Sequence, residues 1–166
     1  ADLPGFAELN ADPQVMRYFP SVMSRAQSNA MARRMQAHFV THGFGYWVLE
    51  RREQPGLLGV LGLQQVAFAA AFTPAVEIGW RIQRQHWRQG YALEAATAVL
   101  AFAFAQLQLE QVLAFTVPAN LPSQALMQRL GMQRDPAEDF AHPLLPAGHP
   151  LRAHRLYRIG RDPVIC

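Results

Sequence analysis

The chain contains no lysine and one cysteine, Cys166, at its last position. A single thiol cannot close an internal disulfide, so stability has to come from a buried core, and a reducing compartment is the natural expectation. Charged residues are scarce, 16% against 51% apolar, which excludes an intrinsically disordered chain. Long apolar runs are missing as well. The most apolar segment, residues 95–109, is alanine-rich, contains Thr97 and Gln106, and is too short to cross a bilayer, so no membrane partner is expected. With no secretory leader read at the start, the sequence points to the cytoplasm. All 15 basic residues are arginine, spread along the chain and never more than two in a row, against 12 acids, for a net charge of +3. Nucleic-acid binding would need them gathered on one face between aromatic or polar readers, and it is not expected. The missing lysines, alongside many alanines, read as codon bias.

At 166 residues the chain is long enough for one domain, 1–166, with a core of its own. Its most informative stretch is Val76-Glu-Ile-Gly-Trp-Arg-Ile82. Apolar residues at 76, 78, 80 and 82 alternate with Glu77, Gly79 and Arg81, the period of a strand with two different faces. After Gly90 the period changes, and Leu93, Ala96, Leu100, Ala103, Phe104 and Leu107 recur at helical spacing. A strand feeding a helix through such a turn aims the first backbone N–H groups of the helix at one spot, with the helix dipole behind them, and that geometry binds phosphate.

Around this unit the pattern predicts a first helix capped by Asp2 and running to Asn10, then a second from Ser24 to His42 stopped by Gly43. A hairpin is expected from 45–51 and 57–66 around Gln54-Pro55-Gly56, followed by a loop over 67–74. The long helix should span 92–107, a strand 111–117, a short helix 122–130 closed by Gly131, and a last strand 152–159. Strand 76–82, the long helix and strand 111–117 form a βαβ crossover with parallel strands. The fold class is therefore α/β, with a central mixed β-sheet flanked by helices on both faces.

The run Glu-Ile-Gly-Trp, Trp87-Arg-Gln-Gly-Tyr-Ala-Leu-Glu-Ala95, Pro118-Ala-Asn-Leu-Pro-Ser123, Leu130-Gly-Met132 and the tail 138–157 resembles the GNAT N-acetyltransferase superfamily, nearest to its RimJ/RimL-like branch. That resemblance implies an acyl-CoA N-acyltransferase fold with acetyl-CoA as cosubstrate and no metal. Members of that superfamily usually carry a strand ahead of the first helix, which here either lies upstream of Ala1 or is absent. By the resemblance, the backbone of Arg81 and Ile82 holds the pantetheine arm. The pyrophosphate lies on Trp87, Arg88, Gln89, Gly90, Tyr91 and Ala92, with Arg84 or Arg88 close to its charge. Asn120 contacts the arm and Ser123 lies near the thioester. Many members place a tyrosine seven residues after that asparagine to protonate the thiolate; Met127 stands there instead, leaving Ser123 or a water.

Acyl transfer needs a neutral amine, and Glu77 is the best base in the sequence. The residues also admit plainer roles. Glu77 can be a solvated strand residue paired with Arg81, Trp87 and Tyr91 can pack on the sheet, and Asn120 and Ser123 can serve as a turn residue and a helix N-cap. His38 and His42 stand four apart on a helix but lack a third metal ligand. Glu138, Asp139, His142, His149 and His154 either line an acceptor pocket or form an exposed loop.

The expected activity is acetyl transfer to a primary amine in a ternary complex, by a monomer or homodimer. The acceptor is a small-molecule amine or a protein N-terminus, chosen by the loops 67–74 and 135–150. Two other functions stay open: a CoA-binding sensor or interaction module without catalysis, and a nucleotide-phosphate binder, although the latter lacks Gly-x-Gly-x-x-Gly spacing.

Overall fold

The computed structural model describes residues 2–53 and 56–161. Most of the expected Gln54-Pro55-Gly56 turn and Cys166 lie outside them. Among the described residues, four α-helices and a six-stranded mixed sheet make an α/β fold. The helices are α1 (Leu3–Ala11), α2 (Arg25–His42), α3 (Tyr91–Ala105) and α4 (Leu121–Arg129). The strands are β1 (Tyr46–Glu50), β2 (Leu57–Gln65), β3 (Val76–Ile82), β4 (Gln111–Thr116), β5 (Phe140–Ala141) and β6 (Ala153–Gly160), bonded in the order β1-β2-β3-β4-β6-β5. The chain forms two compact units: 1–64 with 79–95, and 65–78 with 96–166.

In the first unit, α1 and α2 cover their own core. Phe6, Leu9, Val15 and Val60 are buried together, with Met31, Ala32, Met35, Tyr46 and Leu57 packed against them. α2 starts where Ser24 and Gln27 close a reciprocal capping box, and ends at Gly43, whose N–H bonds Phe39 O at 2.9 Å. α1 begins after Asp2, but the Asp2 side chain makes no cap hydrogen bond; Pro4 in the first turn does the local work instead. β1 and β2 pair antiparallel from Tyr46↔Gly62 to Glu50↔Leu57, and the chain leaving β3 joins β2 where Gln83 N–H bonds Leu58 O at 2.8 Å.

In the second unit, β3 begins parallel to β4 in the register Glu77↔Leu113. β4 runs antiparallel to β6 from Gln111↔Gly160 to Thr116↔Arg155, and Val112, Leu113, Ala114, Leu156 and Tyr157 on these strands are buried. The two-residue β5 adds Phe140↔His154 at the edge, a strand too short to leave a periodic signal. α3 stops at Ala105, short of the 107 that its apolar spacing suggests. Gln108 takes a positive φ of 53°, and its Nε2 donates to Phe104 O at 3.3 Å and Ala105 O at 2.7 Å.

Candidate active site

The turn from β3 into α3 belongs to the first unit. Arg88 and Gly90 both take positive φ, 58° and 89°. A methyl group at Gly90 would meet nothing within 4 Å, so the backbone there is open as well as left-handed. The first hydrogen bond of the α3 ladder runs from Glu94 N–H to Gly90 O at 3.0 Å, which puts the amides of Tyr91 and Ala92 ahead of it, at the positive end of the helix dipole.

The side chains of the turn are held by its own backbone. Trp87 Nε1 donates to Ile82 O at 2.7 Å while the residue stays 39% exposed, so its indole braces the strand end from outside. The Ile82 carbonyl is occupied by this bond. Gln89 Nε2 donates to Gln85 O at 2.8 Å. Arg88 is exposed beside the turn, and Arg84 leans towards Asp12 at 3.9 Å. Tyr91 carries Arg51 over its ring at 5.9 Å, and Arg51 Nη2 lies 3.3 Å from His86 Nδ1. Burial, and then the Arg51 charge, hold the His86 imidazole below its usual pKa.

In the second unit, Asn120 rather than Ser123 is the N-cap of α4. Its Oδ1 accepts from Ser123 N–H at 3.3 Å, and its Nδ2 donates to Thr116 Oγ1 at 2.9 Å and to Ser123 Oγ at 3.0 Å. The asparagine therefore ties the end of β4 to the first turn of α4 and fixes the Ser123 hydroxyl, which as an acceptor still carries a proton of its own. Gln124, which the sequence reading passed over, secures the same corner: it is 4% exposed and donates to Pro118 O at 2.8 Å. Met127 is 2% exposed and belongs to the core, and its thioether has no proton to give. Glu77 stands on β3 opposite Leu113, half-buried.

The C-terminal acids are already paired. Glu138 takes two bonds from Arg158, at 2.6 and 2.7 Å, and Asp139 takes a fork from Arg134, with Nε at 3.0 Å. The Arg134 hydrogen bond holds the Asp139 carboxyl below its usual pKa. His142 and His154 join an aromatic cluster instead, while His149 Nδ1 accepts from Leu151 N–H at 3.1 Å. His142 lies 4.5 Å from Phe68 and 5.0 Å from His154, and Phe72, Phe115 and Phe140 complete it. Burial pushes both imidazoles down in pKa, which keeps them neutral at pH 7. Sequence alone gave no hint that Phe68 and Phe72 fold onto β4. His38 and His42 stack at 4.3 Å, with His38 Nδ1 bound to Phe44 O at 2.8 Å. Among the described residues no group of three metal-ligating side chains occurs.

The family model described as an acetyltransferase (GNAT) domain matches residues 1–133. The chain belongs to the GNAT acetyltransferases. This N-acetyltransferase is 30% identical over 129 residues to the uncharacterized protein YkkB of Bacillus subtilis, covering 76% of this chain and 73% of that one. Its fold matches a GNAT-family acetyltransferase from Bacillus anthracis (TM-score 0.76, 24% identity, 96% of this chain and 89% of that chain). It also matches the spermidine N-acetyltransferase of Vibrio cholerae, solved with CoA and spermine (TM-score 0.74, 17% identity, 96% and 89%). The donor set of the acetyltransferase turn suits the pyrophosphate of the family's cosubstrate: open backbone at Gly90, helix amides at 91 and 92, and arginines 51, 84 and 88 in the same unit. No helix among the described residues is long and apolar enough to cross a membrane.

Proposed function

We propose that the protein transfers an acetyl group from acetyl-CoA directly to a primary amine in a ternary complex, as a RimJ/RimL-like member of its family. The observation that carries this reading is the left-handed, open turn at Gly90 leading into α3, where backbone N–H groups and the helix dipole meet a diphosphate without a side-chain carboxylate in the turn itself. The backbone of Arg81, together with the N–H of Ile82, lines the pantetheine arm, and Asn120 contacts it from the cap of α4.

Glu77 takes the proton from the acceptor ammonium, directly or through a water. The neutral amine nitrogen then attacks the thioester carbonyl carbon, and as the carbon–sulfur bond breaks the nitrogen gives its second proton to the departing sulfur, directly or through a water, while Ser123 donates a hydrogen bond to that thiolate. No covalent bond to the protein forms. The acceptor is a small-molecule amine or a protein N-terminus, the setting is the cytoplasm, and the protein acts as a monomer or homodimer.

A thermal-shift titration tests the cosubstrate, because a ligand of the folded state raises stability by RT ln(1 + [L]/Kd). Acetyl-CoA and CoA should stabilise the protein where ATP and NAD do not. Glu77→Gln should then lower amine-dependent thiol release by about a hundredfold or more while CoA still binds. Full turnover in that variant would remove Glu77 from the mechanism, and equal shifts with ATP would sink the CoA assignment.

A further inference from the structure

Among the described residues of the first unit, the buried cation Arg81 has no ion-pair partner. Arg81 is 8% exposed, and its guanidinium meets Asn10, Met31 and Phe19, all uncharged. Nη1 donates to Asn10 Oδ1 and touches Met31 Sδ at 3.8 Å, and the Phe19 ring lies 4.4 Å from the guanidinium carbon. Asn10 is itself fixed, donating to Ser28 Oγ at 2.8 Å, and both residues are fully buried. Arg81 Nε is buried and makes no hydrogen bond, and among the described residues no carboxylate forms an ion pair with this side chain. Burial pulls the guanidinium down to about 10 in pKa, and only Tyr46 works against that shift.

A buried, uncompensated charge is unfavourable, and an apolar residue of similar length would fill the space without that penalty. What arginine adds is a planar fork that grips a carboxylate through two parallel N–H bonds. Here Asn10 holds the Nη1 corner of the fork in place, and the buried Nε has no hydrogen-bond partner among the described residues. By strand alternation Arg81 shares its face of β3 with Glu77 and Gly79. Phe19 stacks on the guanidinium and is 37% exposed, so the group is covered by a ring at the surface rather than by deep core.

We propose that Arg81 receives a carboxylate on the acceptor, so that the substrate is an amine which also bears a carboxylate, such as an amino acid, rather than a simple amine or polyamine. This rests on the acetyl-transfer reading above. A substrate without the carboxylate leaves the fork unpaired in the occupied site, which is the kind of loss that gives strong discrimination.

The test uses the wild-type chain with saturating acetyl-CoA and reads thiol release. Amino acids are compared with their decarboxylated and amidated counterparts: phenylalanine with phenethylamine and phenylalanine amide, lysine with cadaverine, and spermidine alone. At least one amino acid should exceed both counterparts by about tenfold or more in kcat/KM. Arg81→Met should bring that ratio towards one, and Arg81→Lys should restore part of it, since charge returns without the fork. Amines, amides or spermidine used as well as the amino acids would overturn the carboxylate assignment while leaving acetyl transfer standing. No turnover on any amine would overturn both. The wild-type comparison holds even if the buried variants fail to fold.

Discussion

Gly79 is the glycine of the Glu-Ile-Gly-Trp stretch, and the structure gives it a specific task that a double-mutant cycle can measure. A methyl group built on Gly79 would stand 2.2 Å from the Tyr46 hydroxyl oxygen and 3.3 Å from the ring carbon bearing it. The first distance is far inside contact, so in Gly79→Ala the phenol must retreat by about an ångström against its packing on the Phe6–Leu9 core. Overpacking of this kind costs roughly 1–3 kcal/mol. Alanine recovers about 0.5–1 kcal/mol of that, because it has less freedom to lose on folding. The net loss of about 0–2.5 kcal/mol corresponds to a Tm lower by up to roughly 10 °C for a chain of this size. Tyr46→Phe removes the clashing atom and leaves only the 3.3 Å contact, which a few tenths of an ångström relieve. In the Tyr46→Phe background Gly79→Ala should therefore be neutral or stabilising, a coupling of about 1 kcal/mol or more by urea denaturation. An equal cost of Gly79→Ala in both backgrounds would refute the reasoning, and the glycine would then have to be explained by something other than the phenol.

At Gly90 the penalty is conformational alone, since a methyl group there meets nothing within 4 Å but φ is 89°. Gly90→Ala should cost about 1–2 kcal/mol and weaken CoA binding in calorimetry, whereas Gly90→Asn, which tolerates the left-handed region, should lose less of both; equal losses would point to a contact rather than to strain. The aromatic cluster sets a pH dependence. His142 and His154 are held below their unfolded pKa by burial, with the Arg152 carbonyl pulling His154 back up and His142 pushing it further down. The unfolded chain thus takes up protons first, so stability is complete above about pH 6.5 and falls as pH drops through that value. The urea midpoint should decline from about pH 7.5 to about pH 5, and His142→Gln with His154→Gln should flatten the decline to what His86 contributes. An unchanged slope would remove the cluster as its source.

The sequence was most legible where one local device decides the outcome. Val76–Ile82 reads as a strand from its alternation and is one, and the capping box at Ser24 with Gly43 at the far end bounds α2 to within a residue. Legibility fails where a neighbour from elsewhere decides. Alternation placed Arg81 on a polar face with Glu77, suggesting solvent and an ion pair between them. The period says that two faces differ, not that either is exposed, and here the guanidinium goes to Asn10 and Met31, residues 71 and 50 positions away. The cap of α4 was misassigned by three residues because Asn120 and Ser123 are both good capping residues, and only the turn geometry selects Asn120. Glu138 reads from sequence as available for an amine, yet Arg158, 20 positions on in β6, holds it, while Asp139 is held by Arg134 five positions before it.

The arrangement makes β3 the strand on which register and chemistry are the same question. Side chains alternate, so a slip of one residue would exchange Glu77, Gly79 and Arg81 for Val76, Ile78, Trp80 and Ile82 and lose the proposed base, the space for the Tyr46 phenol and the buried fork together. The strand is pinned at both ends by different neighbours, at Glu77 opposite Leu113 on β4 and just past Ile82 where Gln83 N–H bonds Leu58 O on β2. Trp87 adds a third restraint by donating to the Ile82 carbonyl from beyond the strand end. Trp87→Phe removes that donor but keeps a ring, so its effect should fall on the turn and the strand end together: weaker CoA binding with little loss of global stability, since the indole is 39% exposed. A large loss of stability with CoA affinity intact would mean that the indole serves the core and that β3 keeps its register without it.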